Sequence, residues 1–263
     1  MADEKIMTLL HTGSEVVSAV VGAGFGLIFP TTAGVLAAGA LAPLAEASIK
    51  KVLGDVADRQ LSDRERSKVG TAAAHALNRI YERWVAGDRP RQDGFFESLN
   101  DQRSPAETVL EGVLMESRLQ WEEKKIPWIA NIYVNAAFTD VPPEVVNRAI
   151  VLADRLTWRQ FCLTALAGRH EELGIHARWM THPPAEMSKA QTVLLGEVND
   201  LFGGQFGFLK TNPVGLTVMG QATFDLMSFK DFPQADLEAV ASLFPLPPYA
   251  VSASHEEREY DQS

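Results

Sequence analysis

From Val16 to Ala45 the chain carries no ionisable side chain, and the run is rich in Gly and Ala. About 30 uncharged residues exceed the roughly 20 that one helix needs to cross a bilayer core. Such a segment has to be withdrawn from water by lipid, by its own chain or by another protein. Pro30 stands near its middle, and a mid-helix proline removes a backbone hydrogen bond and kinks or ends the helix. If the chain breaks there, each half is about 13 residues long, too short to span alone. Gly22, Gly24, Gly26, Gly34 and Gly39 permit close helix–helix approach but offer little apolar area to lipid.

Three fates are open to this segment: a membrane-inserting hairpin or one kinked span, a hairpin packed inside protein, and a cleaved secretory signal. The third fits least. Asp3, Glu4 and Glu15 stand against Lys5, the wrong charge for a signal n-region. On the membrane reading the residues that enter lipid are Val20, Gly22, Gly24, Phe25, Gly26, Leu27, Phe29, Leu36 and Leu41.

The 263-residue chain has a formal net charge of −10 and a pI near 5.1, which argues against general nucleic-acid binding. The charge is uneven. Between Lys50 and Arg91 lie ten cations, Lys50, Lys51, Arg59, Arg64, Arg66, Lys68, Arg79, Arg83, Arg89 and Arg91, against six carboxylates. The basic region follows directly on the apolar one, as the positive-inside bias and attraction to anionic lipid would require. Lys50, Lys51 and Arg59 are the expected lipid-headgroup contacts. The plainer alternative is a solvated helix face of mixed charge.

The rest of the chain reads as helices. Ser62 to Glu65 is a capping box, and Val69, Ala72, Ala73, Ala76, Leu77, Ile80 and Trp84 recur at helical spacing as far as about Ala86. Gly87 and Pro90 end that helix. The polar loop from Gly87 to Arg103 carries Phe95 and Phe96, which either staple it to the core or bind a partner. Ser104-Pro-Ala-Glu107 starts a second helix, and Trp121 to Pro127 interrupts it. Trp128, Ile129, Ile132, Tyr133 and Ala136 mark a third, and Val145 to Leu156 a fourth.

Thr157-Trp-Arg-Gln160 opens the next helix and Ser188-Lys-Ala-Gln191 another. Two short strands around Asn212-Pro213 follow, then a helix from Thr217 to Lys230 and a last one around Leu237 and Val240. The order helix, helix, hairpin resembles a winged helix. Its supposed recognition helix, Lys189 to Gln205, holds one Lys, no Arg, Glu197 and Asp200, a poor match to phosphate. The tail from Pro245 is rich in Pro, Ser and charge.

Sites of chemistry are not indicated. His170, His176 and His182 lack the His-x-x-x-His spacing that places two imidazoles on one helical face. Cys162, the single cysteine, lies in an apolar stripe rather than beside a base, and cannot form an internal disulfide, which suits a reducing compartment. Gly22-Ala-Gly-Phe-Gly26 lacks a third glycine at the right spacing and the βαβ context of a nucleotide loop. No catalytic residue, metal or cofactor is expected.

The arrangement from Leu119 onward resembles the Abi-alpha family of bacterial abortive-infection proteins. Its carriers are Glu123-Lys-Lys-Ile-Pro-Trp-Ile-Ala-Asn-Ile-Tyr-Val-Asn-Ala-Ala137, Leu156-Thr157 opening a helix, and a hairpin closing on Leu216-Thr217-x-x-Gly220. About half of the chain is covered. The Gly/Ala-rich N-terminal segment and the loop Asp93 to Phe96 lie outside it. The resemblance implies a small helical protein of anti-phage defence, with no catalytic residues to carry over.

The expected fold is all-α: a helical bundle (50–156), a small winged-helix-like unit with one β-hairpin (157–244), an N-terminal Ala/Gly-rich apolar helical hairpin (1–49) and a flexible tail (245–263). The expected function is a non-enzymatic bacterial defence or stress protein acting at the inner face of the cytoplasmic membrane. The alternative is a soluble adaptor whose hairpin is buried in the fold or in an oligomer. Expected partners are an anionic membrane and a protein or second copy, not nucleic acid.

Overall fold

A computed structural model describes residues 4–12, 43–98, 102–173, 186–203, 206–211 and 214–243. These are helical apart from one two-stranded antiparallel sheet, so the chain is all-α with a small hairpin. It divides into two compact units. The first comprises Met1–Trp158 together with Asp225–Ser228, the second Arg159–Phe224 with Phe229–Ser263.

The first unit holds α1 (4–12), α2 (Pro43–Ala57), α3 (Asp63–Val85), α4 (Pro105–Leu119), a 3-10 turn Glu123–Lys125, α5 (Ile126–Phe138) and α6 (Pro143–Arg155). At its centre is α5. All of its residues except Asn135 and Phe138 are buried, as expected of a helix that is apolar all round. Pro127 in its first turn is tolerated there because the N–H it lacks would have no helical partner. Ile129, Ile132, Leu110, Leu114 and Leu77 are at most 2% exposed, and each contributes about 1.5–3 kcal/mol on burial.

Helix starts follow their caps. The Ser62 side chain accepts from the Glu65 N–H while the Glu65 carboxylate accepts from the Ser62 N–H, a complete capping box. At α4 only half of the box forms. Ser104 accepts from the Glu107 N–H, but the Glu107 carboxylate instead takes Lys51 at 2.8 Å.

Cross-links fix the helix directions. Lys51 meets Glu107, and Arg59 meets Glu111 and Met115, so α2 and α4 run the same way. Glu65 lies 3.6 Å from Arg118 and Lys68 donates to the Gln120 carbonyl, while Leu77 and Ile80 line one small cavity with Leu110, so α3 starts at the end of α4 and runs opposite to it. The first turns of α2 and α4 and the last turn of α3 therefore share one end of the unit.

Residues 1–49 do not stand apart as the sequence suggested, as far as they are described. In α1, Ile6, Leu9 and Leu10 are core residues, and Lys5 binds Asp58 at the end of α2 at 2.6 Å. Ile49, Val52, Leu53 and Val56 of α2 are core as well. Both flanks of the apolar run thus belong to the first unit.

The second unit is built on α7 (Trp158–Arg169), α8 (Lys189–Phe202), β1 (Leu209–Thr211), β2 (Val214–Leu216), α9 (Val218–Leu226), a 3-10 turn Phe229–Asp231 and α10 (Gln234–Ala241). Leu209 pairs with Leu216 and Thr211 with Val214. Phe229 is ringed by Phe161 at 5.1 Å, Phe232 at 5.5 Å and Phe224 at 6.2 Å. Phe224 closes on α7 where Gly168 offers no side chain: a Cβ there would lie 2.4 Å from its ring.

One predicted element is shorter than expected. The helix read from Thr217 to Lys230 ends at Leu226, Ser228 takes a positive φ of 56°, and the 3-10 turn follows. The backbone carbonyls freed at this break have side-chain partners on α5.

Candidate functional site

Val20, Gly22, Gly24, Phe25, Gly26, Leu27, Phe29, Leu36 and Leu41 lie outside the described residues. Among those described, no helix is long and apolar enough to cross a membrane.

Most of the cations that follow the run are engaged within the first unit. Lys51 pairs with Glu107, and Arg59 with Glu111. Further along, Arg64 pairs with Glu123, Arg79 with Glu82, Arg83 with Asp88 and Arg91 with Asp93. Lys50 is exposed. The basic segment is thus largely neutralised by carboxylates, many of them distant in sequence. This reduces the positive surface that Lys51 and Arg59 were expected to offer to lipid. The solvent-exposed pairs among these contribute little to stability, about 0–1 kcal/mol each.

Phe95 and Phe96 are 3% and 8% exposed and meet edge to face at 5.1 Å. The Arg91 guanidinium lies 4.8 Å from the Phe95 ring centre and donates to the Val141 carbonyl at 2.9 Å, while the Phe95 carbonyl accepts from the Ala106 N–H. These contacts staple the loop to the bundle. They correct the partner-binding reading for a physical reason: rings already covered by their own chain have little surface left to offer.

The sequence reading missed a polar constellation on the central helix. Asn131 and Asn135, one turn apart on α5, both reach Asp225–Ser228. Asn131 Nδ2 donates to the Met227 carbonyl at 3.2 Å, and its Oδ1 faces His75 Nε2 of α3 at 2.9 Å. Asn135 Nδ2 donates to the carbonyls of Asp225 (3.1 Å) and Leu226 (2.9 Å) and to Ser228 Oγ (2.9 Å). Arg83 Nη1 donates to Asn135 Oδ1 at 3.1 Å. Burial is the main cause that lowers the His75 pKa to about 4, with Arg79 adding to it and the Asn131 bond opposing. A neutral imidazole donating from Nε2 satisfies Asn131, which frees its amide hydrogens for Met227. The signal in the sequence was two amides four residues apart in an otherwise apolar helix. A buried amide such as Asn131 requires partners.

A second titratable group closes the seam between α4 and α6. Lys125 is 1% exposed. Desolvation lowers its pKa, and Glu122, Asp154 and Glu116 oppose the shift. Glu116 is pushed up by burial and by the Asp154 carboxylate, with the Gln120 amide opposing. Tyr133 is pushed up by burial and then by Glu107.

A cavity of about 10 Å³ among Ile49, Leu53, Leu77, Ile80, Leu110 and Tyr133 is no larger than a water site. An open cleft of about 280 Å³ lies over Arg91, Asp93, Gly94, Phe95 and Glu97. Among the described residues, no group of three or more His, Cys, Asp or Glu could hold a metal ion. His170 faces the Ala167 carbonyl at 2.9 Å, His176 and His182 lie outside the described residues, and Cys162 is fully buried. No family model, no curated protein and no solved structure matches this chain.

Proposed function

We propose that this is a non-enzymatic bacterial protein of defence, the role that the resemblance to the Abi-alpha family implies, or of stress response, and that it acts at the cytoplasmic face of a membrane through the apolar run 16–45. One observation carries the reading: the run of about 30 uncharged residues is joined at each end to a helix packed in the first unit. With both flanks anchored, the run enters lipid as a hairpin whose ends stay on one side, rather than as a kinked span. Pro30 supplies its turn. The second unit is read as a winged-helix-like module for protein contact.

The alternative, a soluble adaptor with the run buried in protein or in an oligomer, is favoured by the pairing of Lys51 and Arg59 with Glu107 and Glu111. Asp substitution at Gly24 or Ala38 separates the two. A charge at the bilayer centre costs at least about 2.5–3.5 kcal/mol, so on the membrane reading these variants stay folded but cease to float with liposomes. If the run is core, they lose soluble yield instead. Flotation unchanged by either substitution would refute the membrane reading.

A further inference from the structure

The shared end of the first unit carries a group that its interior does not use. Val85, the last residue of α3, is 66% exposed. Beside it, the Arg89 guanidinium lies 4.5 Å from the ring centre of the half-buried Trp84. Arg89 donates only to the backbone carbonyls of Asp88 (3.0 Å) and Trp84 (3.5 Å). Unlike Arg79, Arg83 and Arg91, it forms no ion pair among the described residues, and the adjacent Asp88 carboxylate is taken by Arg83 at 2.7 Å. An aromatic ring with an apolar neighbour and a guanidinium that holds no carboxylate among the described residues is the chemistry of a bilayer interface. The ring and Val85 suit the acyl–headgroup boundary, and the guanidinium suits a lipid phosphate.

Position points the same way. Helices α2 and α4 run parallel, and α3 starts at the end of α4 and carries Leu77 and Ile80 back to Ile49 and Leu110, so Val85 lies toward the end where α2 begins. Pro43 is eight residues before Lys51, about 12 Å of helix, which takes the start of α2 beyond the level of Glu107 toward the same end. Pro43, the first residue of α2, therefore lies toward the same end of the unit as Trp84, Val85 and Arg89.

We infer that Trp84, Val85 and Arg89 form the interfacial contact that seats this end of the bundle on a phospholipid surface around the apolar run. The inference rests on the membrane reading above, and one experiment separates the two. The full-length chain, its Val85→Glu/Arg89→Glu variant and an Arg66→Glu control at the opposite end of α3 are floated with phosphatidylcholine–phosphatidylglycerol vesicles. Wild type and R66E are expected to bind alike, and V85E/R89E at least about tenfold more weakly, with unchanged circular dichroism because both positions face solvent. Equal binding by V85E/R89E, or equal loss in R66E, overturns this contact while leaving the apolar run as the membrane element. A wild-type chain that does not float overturns both.

Discussion

Gly220→Ala is expected to destabilise the second unit by about 3 kcal/mol, near the upper end for overpacking. A Cβ at this position would lie 2.2 Å from the Phe208 carbonyl oxygen and 3.0 Å from its carbon. The obstacle is backbone, and it is held in place. The Phe208 carbonyl accepts from the Thr217 N–H at 2.8 Å, Thr217 Oγ1 donates to the Gly207 carbonyl at 2.7 Å, and the same oxygen accepts from the Gly220 N–H at 3.1 Å. Thr217 thus joins the hairpin to the first turn of α9, and Gly220 is the point of closest approach. Gly168→Ala should cost less, because the obstructing atoms belong to the Phe224 ring, which can shift. Urea midpoints of the two variants check this. A G220A protein as stable as wild type would mean that α9 does not lie against Phe208.

His75 should make the first unit lose stability on acidification by about 3 kcal/mol. Its pKa falls from a reference value of 6.5 to about 4 on folding, first because burial disfavours the imidazolium. Between these values the unfolded chain binds the proton and the folded chain does not. The contribution is therefore fully present above about pH 6.5, declines as pH falls and is gone below about pH 4. Carboxylates titrate in the same range, so the informative quantity is a difference. His75→Gln keeps an amide donor within reach of Asn131 but takes up no proton. The stability gap between wild type and H75Q should shift against wild type by about 3 kcal/mol from neutral pH to pH 4. A gap independent of pH would show that His75 is not buried as a neutral donor to Asn131.

Local signals were the legible part of this fold. Ser62, Ser104 and Ser188 start helices where their spacing to Glu65, Glu107 and Gln191 said they would, because capping is decided within four residues. The stripe from Val69 to Ile80 is buried, and the hairpin pairs around 212–213. Interactions between distant segments were not legible. Glu107, Glu111 and Glu123 are drawn to Lys51, Arg59 and Arg64 over more than 50 residues of chain, so a basic stretch of sequence did not become a basic surface. The end of α9 at Leu226 is likewise set by Asn131 and Asn135, about 90 residues earlier. No Gly or Pro stands at the break itself, between Asp225 and Lys230. Phe95 and Phe96 could have been staple or docking site by composition alone, and only the contacts of Arg91 and Ala106 decide between them.

The flanks of the apolar run also determine how its role should be tested. Truncation at Lys50 would remove Ile6, Leu9, Leu10 and Ile49 from the core, so loss of binding would be confounded with loss of fold. The more direct measurement keeps the whole chain. Lys5→Cys and Asp58→Cys, whose native side chains meet at 2.6 Å, are joined by a short bismaleimide while the buried Cys162 stays unreacted, and flotation is compared before and after joining. A hairpin that enters lipid with both ends docked is expected to bind equally well in both forms. Binding that vanishes on joining would mean that α1 must leave the bundle, and the hairpin account would be wrong.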